Sequence, residues 1–125
     1  MDDKKPEIPV WSQKVLTEKN AVITGGISGI GFAIADTFIN AGCSNVLITS
    51  RDQQRLERSL NSLQEKHPDK TGHIFGTILD LAKPDEFRDV FLRMCEVFGE
   101  NKIDIWVNNA GIYQDTNFGT CSEEQ

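Results

Sequence analysis

The densest chemical signal in the chain is Thr24-Gly25-Gly26-Ile27-Ser28-Gly29-Ile30-Gly31. Glycines let a backbone turn sharply and let an anion reach main-chain amides with no side chain in the way. Where a helix opens at such a turn, its first amides lack an intrahelical acceptor and its dipole is positive, which suits a phosphate. A glycine-rich turn with no ligand is the plain alternative. Context decides between them: a strand must lead in and a helix must lead out. Further along stand Ser50-Arg51-Asp52, Asp80-Leu81 and Asn108-Asn109-Ala110-Gly111. An arginine can grip a phosphate through two parallel hydrogen bonds, or it can be a solvated charge at a helix start. Asp52 beside it is a candidate helix cap. By chemistry alone, Asp80 and the two asparagines are equally readable as turn residues.

The elements that would position these groups are legible from periodicity. Ala21 to Thr24 is a short apolar, β-branched run that reads as a buried strand, and the glycine turn follows it directly. Ile30, Ala33, Ile34, Phe38 and Ala41 recur at helical spacing, with Gly42 closing the helix. A second strand runs from Asn45 to Thr49. Leu56, Leu60 and Leu63 then mark one face of a second helix, ended by His67-Pro68. His73 to Leu79 reads as a third strand with Gly76 as a weak point inside it. The third helix opens near Pro84, Asp85 and Glu86, which suit a helix start. Its stripe is Phe87, Val90, Phe91, Met94, Cys95 and Phe98, expected to face the core, and Gly99 ends it. Ile103 to Val107 is a fourth strand. Strands alternating with helices imply a parallel sheet with right-handed crossovers. Residues 1–18 form a polar lead-in, in which Pro6 and Pro9 discourage a helix and Trp11 is a possible anchor.

Thr-Gly-x-x-x-Gly-Ile-Gly after the first strand, Asp80-Leu81 after the third and Asn108-Asn109-Ala110-Gly111 after the fourth occur in order at strand ends. In this combination the chain resembles the short-chain dehydrogenase/reductase family. The resemblance implies an α/β fold: a Rossmann-like, doubly wound parallel sheet of order 3-2-1-4, truncated after the fourth strand. It implies an NAD(P)-binding domain over 19–125, incomplete at its C-terminus. It also implies a nicotinamide dinucleotide held by Gly25, Ser28, Gly29, Ile30, Gly31, Ser50, Arg51, Asp80, Leu81, Asn108, Ala110 and Gly111. Asn109 is expected to tie neighbouring strands together. Ser50 stands where NAD-preferring relatives place aspartate, and Arg51 where NADP-preferring relatives place a basic residue, so NADP is expected over NAD. Ser28 is neutral at a place where a second basic residue is often found.

The family's chemistry requires a Tyr-x-x-x-Lys pair and a serine. The sole tyrosine is Tyr113, with Asn117 four residues on, and the last lysine is Lys102. No catalytic residue is therefore assigned. Ser122-Glu123-Glu124-Gln125 reads as a capping box opening a further helix. The expectation is the first half of a family member: the cofactor portion of an NADP(H)-dependent oxidoreductase acting on small carbonyls or alcohols. The alternative is a non-catalytic nucleotide-binding or protein-interaction fragment. The fourth strand would be a free edge, and self-association through it is expected.

Composition narrows the partners. Lys and Arg number 13 against 19 Asp and Glu, a net charge of -6, which disfavours nucleic acid and anionic membranes. No apolar run approaches bilayer-spanning length, and the charged N-terminus lacks a secretory core, so a cytoplasmic protein is expected. Cys43, Cys95 and Cys121 have no metal-ligand spacing, and neither His67 nor His73 shares a helical face with a cysteine.

Overall fold

A computed structural model of the chain describes residues 14–27, 29–99 and 102–109. Trp11, Ser28, Ala110, Gly111, Tyr113, Cys121 and the segment 122–125 lie outside the described residues. In chain order the elements are β1 (Asn20–Ile23), α1 (Gly29–Asn40), β2 (Asn45–Ser50), α2 (Gln53–Lys66), β3 (Ile74–Ile78), α3 (Phe87–Val97) and β4 (Ile105–Val107). Short 3-10 turns at Pro68–His73 and Pro84–Glu86 lead into β3 and α3. The strands form one parallel sheet in the order β3-β2-β1-β4, as the alternation of elements and the family resemblance implied.

Two-residue periodicity sorts the strand side chains onto the two faces. Ala21 and Ile23, Val46 and Ile48, and Ile74 face α1 and α2, in a core that also holds Ala35, Ile39, Leu56 and Leu63. Val22 and Leu47 face the other way and pack with Leu79, Val90, Met94 and Phe98 under α3. Both faces are covered, which is why β2 reads as an unbroken apolar run and is buried from Val46 to Ser50. Fully burying one such side chain is worth about 1.5–3 kcal/mol. Gly76 has a packing reason. A Cβ there would lie 2.7 Å from Leu60 Cδ1 and 2.9 Å from Leu56 Cδ1, so the leucines of α2 occupy the space a side chain would need.

Two stripes differ from expectation. α1 buries Gly31, Ala35 and Ile39, while Ile30 is 73% exposed and Ala33 is also exposed. The helix is turned so that its smallest residue meets the glycine loop. On α3, Val90, Met94, Cys95 and Phe98 are buried as expected, but Phe87 and Phe91 stand at the rim, each 36% exposed. They stack on each other with centroids 6.2 Å apart and lean on Trp106 of β4 at 5.9 and 6.2 Å.

The sheet is pinned at its N-terminal edge by Asp104. Its carboxylate accepts the Asn20 amide at 2.8 Å, its amide donates to the Asn20 carbonyl at 2.9 Å, and Lys102 Nζ lies 3.4 Å away. That backbone hydrogen bond, helped by Lys102, holds the Asp104 carboxyl below its ordinary range. Residues just ahead of β1 also dock. The Leu16 amide donates to the Ala41 carbonyl, and Thr17 forms an antiparallel bridge with Cys43. Burial, with the Asp104 charge adding to it, pushes the Cys43 thiol up to about 11, which keeps it unreactive.

Candidate dinucleotide site

Four parallel strands bring four chain turns to one edge of the sheet. The order reverses between β2 on one side of β1 and β4 on the other, which opens a crevice at the C-terminal strand ends. A cleft of about 820 Å³ lies there, lined by Gly25, Ile27, Ser50, Arg51, Asp80 and Asn109 among others.

The floor is the loop Thr24–Ile27, fixed by side chains from three elements. Thr49, buried at the end of β2, accepts the Gly25 amide on its hydroxyl at 3.2 Å. Asn109 donates from Nδ2 to the Gly25 carbonyl at 3.1 Å, and its amide donates to Thr24 Oγ1 at 3.1 Å. Ser59 of α2 donates to the Ile27 carbonyl at 2.6 Å. Gly25 adopts φ +68° and Gly29 φ +57°, the left-handed region that favours glycine. With its N–H and C=O both engaged, Gly25 shapes the turn. The amides that open α1, from Gly29 to Gly31, have no acceptor within the helix. A Cβ on Gly29 would meet nothing within 4 Å, so open space lies in front of that helix end. Gly31 is the opposite case, pressed against Gly25 and Asn109.

The rim divides by chemistry. Ser50 is buried, and its hydroxyl accepts the Asp52 amide at 3.0 Å. Asp52 is the N-cap of α2, its carboxylate accepting the Arg55 amide at 3.1 Å. That backbone bond, aided by the Arg55 and Arg58 charges, holds the carboxyl below its ordinary range. Capping is thus the occupation of the acid next to Arg51. Arg51 is exposed and forms no ion pair among the described residues. Asp80 accepts the Ala82 amide on Oδ1 at 2.9 Å, and Leu81 beside it is 44% exposed.

Of the residues named from sequence, Gly25, Ser50, Arg51, Asp80 and Leu81 line this one cleft. Gly29 lines a smaller neighbouring hollow of about 270 Å³, and Gly31 is buried behind the loop. Asn108 is exposed at the end of β4, where its side-chain oxygen accepts Trp106 Nε1 at 2.7 Å. Ser28, Ala110 and Gly111 lie outside the described residues. Sequence reasoning missed Thr49 and Ser59. The available signal was a polar side chain closing a buried strand or interrupting an apolar helix face. Among the described residues no helix is long and apolar enough to cross a membrane, and no three His, Cys, Asp or Glu side chains gather into a metal site.

Comparison with known proteins agrees with this geometry. The family model for short chain dehydrogenases matches residues 19–125. The chain is 37% identical over 111 residues to a 3alpha-hydroxysteroid dehydrogenase of Mediterraneibacter gnavus, covering 89% of this chain and 42% of that protein. It is 38% identical over 92 residues to the chloroplastic chlorophyll(ide) b reductase of Arabidopsis thaliana, covering 74% of this chain and 25% of that one. Its fold is similar, with a TM-score of 0.70 and 32% identity, to L-sorbose reductase from Gluconobacter frateurii solved with NADPH and L-sorbose, over 87% of this chain and 39% of that chain. The chain thus spans less than half the length of these relatives. A parallel sheet of this order, a glycine loop braced from β2, α2 and β4, and a family match over residues 19–125 meet in one conclusion: the chain belongs to the short-chain dehydrogenase family of oxidoreductases.

Proposed function

We propose that residues 19–125 are the dinucleotide-holding part of an NADP(H)-dependent oxidoreductase that interconverts small carbonyls and alcohols. The observation that carries this is the cleft at the C-terminal strand ends, which brings Gly25 of the glycine loop, Arg51 and Asp80 to one place. The amides of Gly29, Ile30 and Gly31, with Ser28 beside them, bind the diphosphate. Asp80 and Leu81 flank the adenine. Asn108, Ala110 and Gly111 follow the nicotinamide half. Ser50 and Arg51 receive the ribose 2′-phosphate, since no acid at position 50 claims a 2′-hydroxyl and Asp52 is committed to capping α2. The L-sorbose reductase it resembles was solved with NADPH, which supports a nicotinamide dinucleotide as the ligand. Nicotinamide, when bound, carries the hydride. The residues here position it, and the proton-transferring tyrosine and lysine are not among these 125 residues.

Titration calorimetry with NADPH and NADH tests the assignment. The chain binds NADPH more tightly. Arg51→Glu weakens NADPH by about 10- to 100-fold, the worth of a lost charge-assisted contact, and shifts NADH by less than about threefold. Equal loss for both cofactors, or a native preference for NADH, overturns the NADP assignment.

A second property follows from β4. Among the described strands it pairs on one side only, and Ile105, Trp106 and Val107 are all half-buried beside the Phe87–Phe91 rim. An edge of unpaired amides flanked by aromatic surface pairs readily with another copy. The 125-residue chain should therefore gain mass with concentration in sedimentation equilibrium. A constant monomer mass across the micromolar range rules this out.

A further inference from the structure

On β4, Ile105 and Val107 pack against the core under α1 and α2, while Trp106 packs against the core under α3. Phe87 and Phe91 of α3 lie against the indole, with ring centroids 5.9 and 6.2 Å away. An indole packed in this way still has one N–H to satisfy. Two positions on along an extended chain, the next residue on the same face is Asn108. Its Oδ1 accepts the Trp106 Nε1–H at 2.7 Å.

The indole nitrogen can only donate. The contact therefore decides which way round the Asn108 amide sits, with its oxygen toward Trp106 and its nitrogen away from it. Asn108 is exposed at the C-terminal end of β4, next to Asn109, which lines the cleft. Among the described residues its Nδ2 has no acceptor. Two amide donors thus stand at the strand end that Asn109 ties to the glycine loop. A freely rotating amide could turn oxygen or nitrogen outward. The indole removes one of those orientations before a ligand arrives, which spares the ligand the cost of ordering that group.

Building on the dinucleotide reading above, we infer that Trp106 is a positioning residue for the cofactor: through Nε1 it turns Asn108 so that the amide presents donors to the dinucleotide. The matching ligand group is an acceptor oxygen, a ribose hydroxyl or the carbonyl of the nicotinamide carboxamide. NADP and NAD both carry these oxygens. Trp106 therefore acts on the two cofactors alike, whereas Arg51 separates them.

The test titrates the full chain with NADPH and NADH as the native protein, Trp106→Phe, Asn108→Ala and the double variant, with thermal melting of each. Phenylalanine keeps a ring against Phe87 and Phe91 and removes the N–H. Trp106→Phe weakens both cofactors about fivefold, as expected for one net hydrogen bond. Asn108→Ala weakens both about tenfold. The double variant binds no more weakly than Asn108→Ala, because Trp106 acts only through that amide. Native affinity in Trp106→Phe, or single losses that multiply in the double variant, overturns the inference. A second readout needs no nucleotide: the Trp106 indole N–H exchanges with solvent faster in Asn108→Ala than in the native chain, and equal exchange also overturns the inference. The two proposals can fail separately. If the native chain binds the cofactors while the cycle is additive or the exchange is unmoved, only the role of Trp106 is lost. If the native chain binds neither cofactor, both are lost.

Discussion

Gly31→Val removes NADPH binding and destabilises the fold by roughly 3 kcal/mol, the upper part of the range for overpacking. The size of the effect follows from what a side chain would strike. A Cβ on Gly31 lies 2.4 Å from the Gly25 carbonyl oxygen and 2.5 Å from Asn109 Nδ2. Those two atoms are hydrogen-bonded to each other at 3.1 Å, so even one carbon wedges apart the contact that holds the loop. The obstacle is backbone plus an anchored amide, neither of which can rotate away. Other glycines calibrate the result. Gly29→Ala meets open space and carries only the strain of a left-handed φ, about 1–2 kcal/mol. Gly72→Ala meets open space without that strain and stays within about 0.5 kcal/mol of the native chain. Urea unfolding and NADPH titration of the three variants give the order directly. A Gly31→Val chain as stable as Gly72→Ala contradicts the packing described for α1.

The same glycine explains why part of the molecule was hidden in the sequence. α2 is polar apart from Leu56, Leu60 and Leu63, and that stripe faces the core as its spacing foretold, with Leu60 half-buried. α1 is apolar almost all round, so counting apolar positions cannot fix its rotation. Its phase is set by the closest approach, and that falls at Gly31, a residue with no side chain to count. The rim position of Phe87 and Phe91 was hidden for another reason. Periodicity gives the face of a helix, while the extent of the surface beneath depends on how far β4 reaches. The strand order was legible through alternation and the family resemblance together. Of the loop's braces, Asn109 was expected from the resemblance to tie strands together, and it joins the end of β4 to Thr24 and Gly25. Thr49 and Ser59 were not legible: they sit on β2 and α2, and only folding shows that their polar atoms converge on Gly25 and Ile27.

Asn109→Asp separates the electrostatic part of that bracing from its shape. Asparagine and aspartate are nearly isosteric, but Nδ2 donates to the Gly25 carbonyl, and an ionised carboxylate has no proton to give. Two acceptors would then face each other in a half-buried place, a loss of about 1–3 kcal/mol. The carbonyl oxygen and partial burial raise the pKa of the new carboxyl in the folded chain above its unfolded value near 3.9. The sign of the pH dependence follows. The folded variant holds its proton longer than the unfolded one, so its stability relative to the native chain falls as pH rises from the unfolded pKa through the folded pKa. Thr24 Oγ1 still accepts the main-chain amide of residue 109 and still donates to the Val107 carbonyl at 3.2 Å, so the join between β1 and β4 survives the substitution. NADPH affinity should drop with stability, because the carbonyl released is that of the glycine whose φ of +68° sets the turn. Urea unfolding of both chains from about pH 3.5 to about pH 7, a window that brackets the unfolded pKa, should show the gap widening with pH. A gap that stays constant or narrows would mean that the Asn109 amide contributes shape alone, and that the loop is held by Thr49 and Ser59 without it.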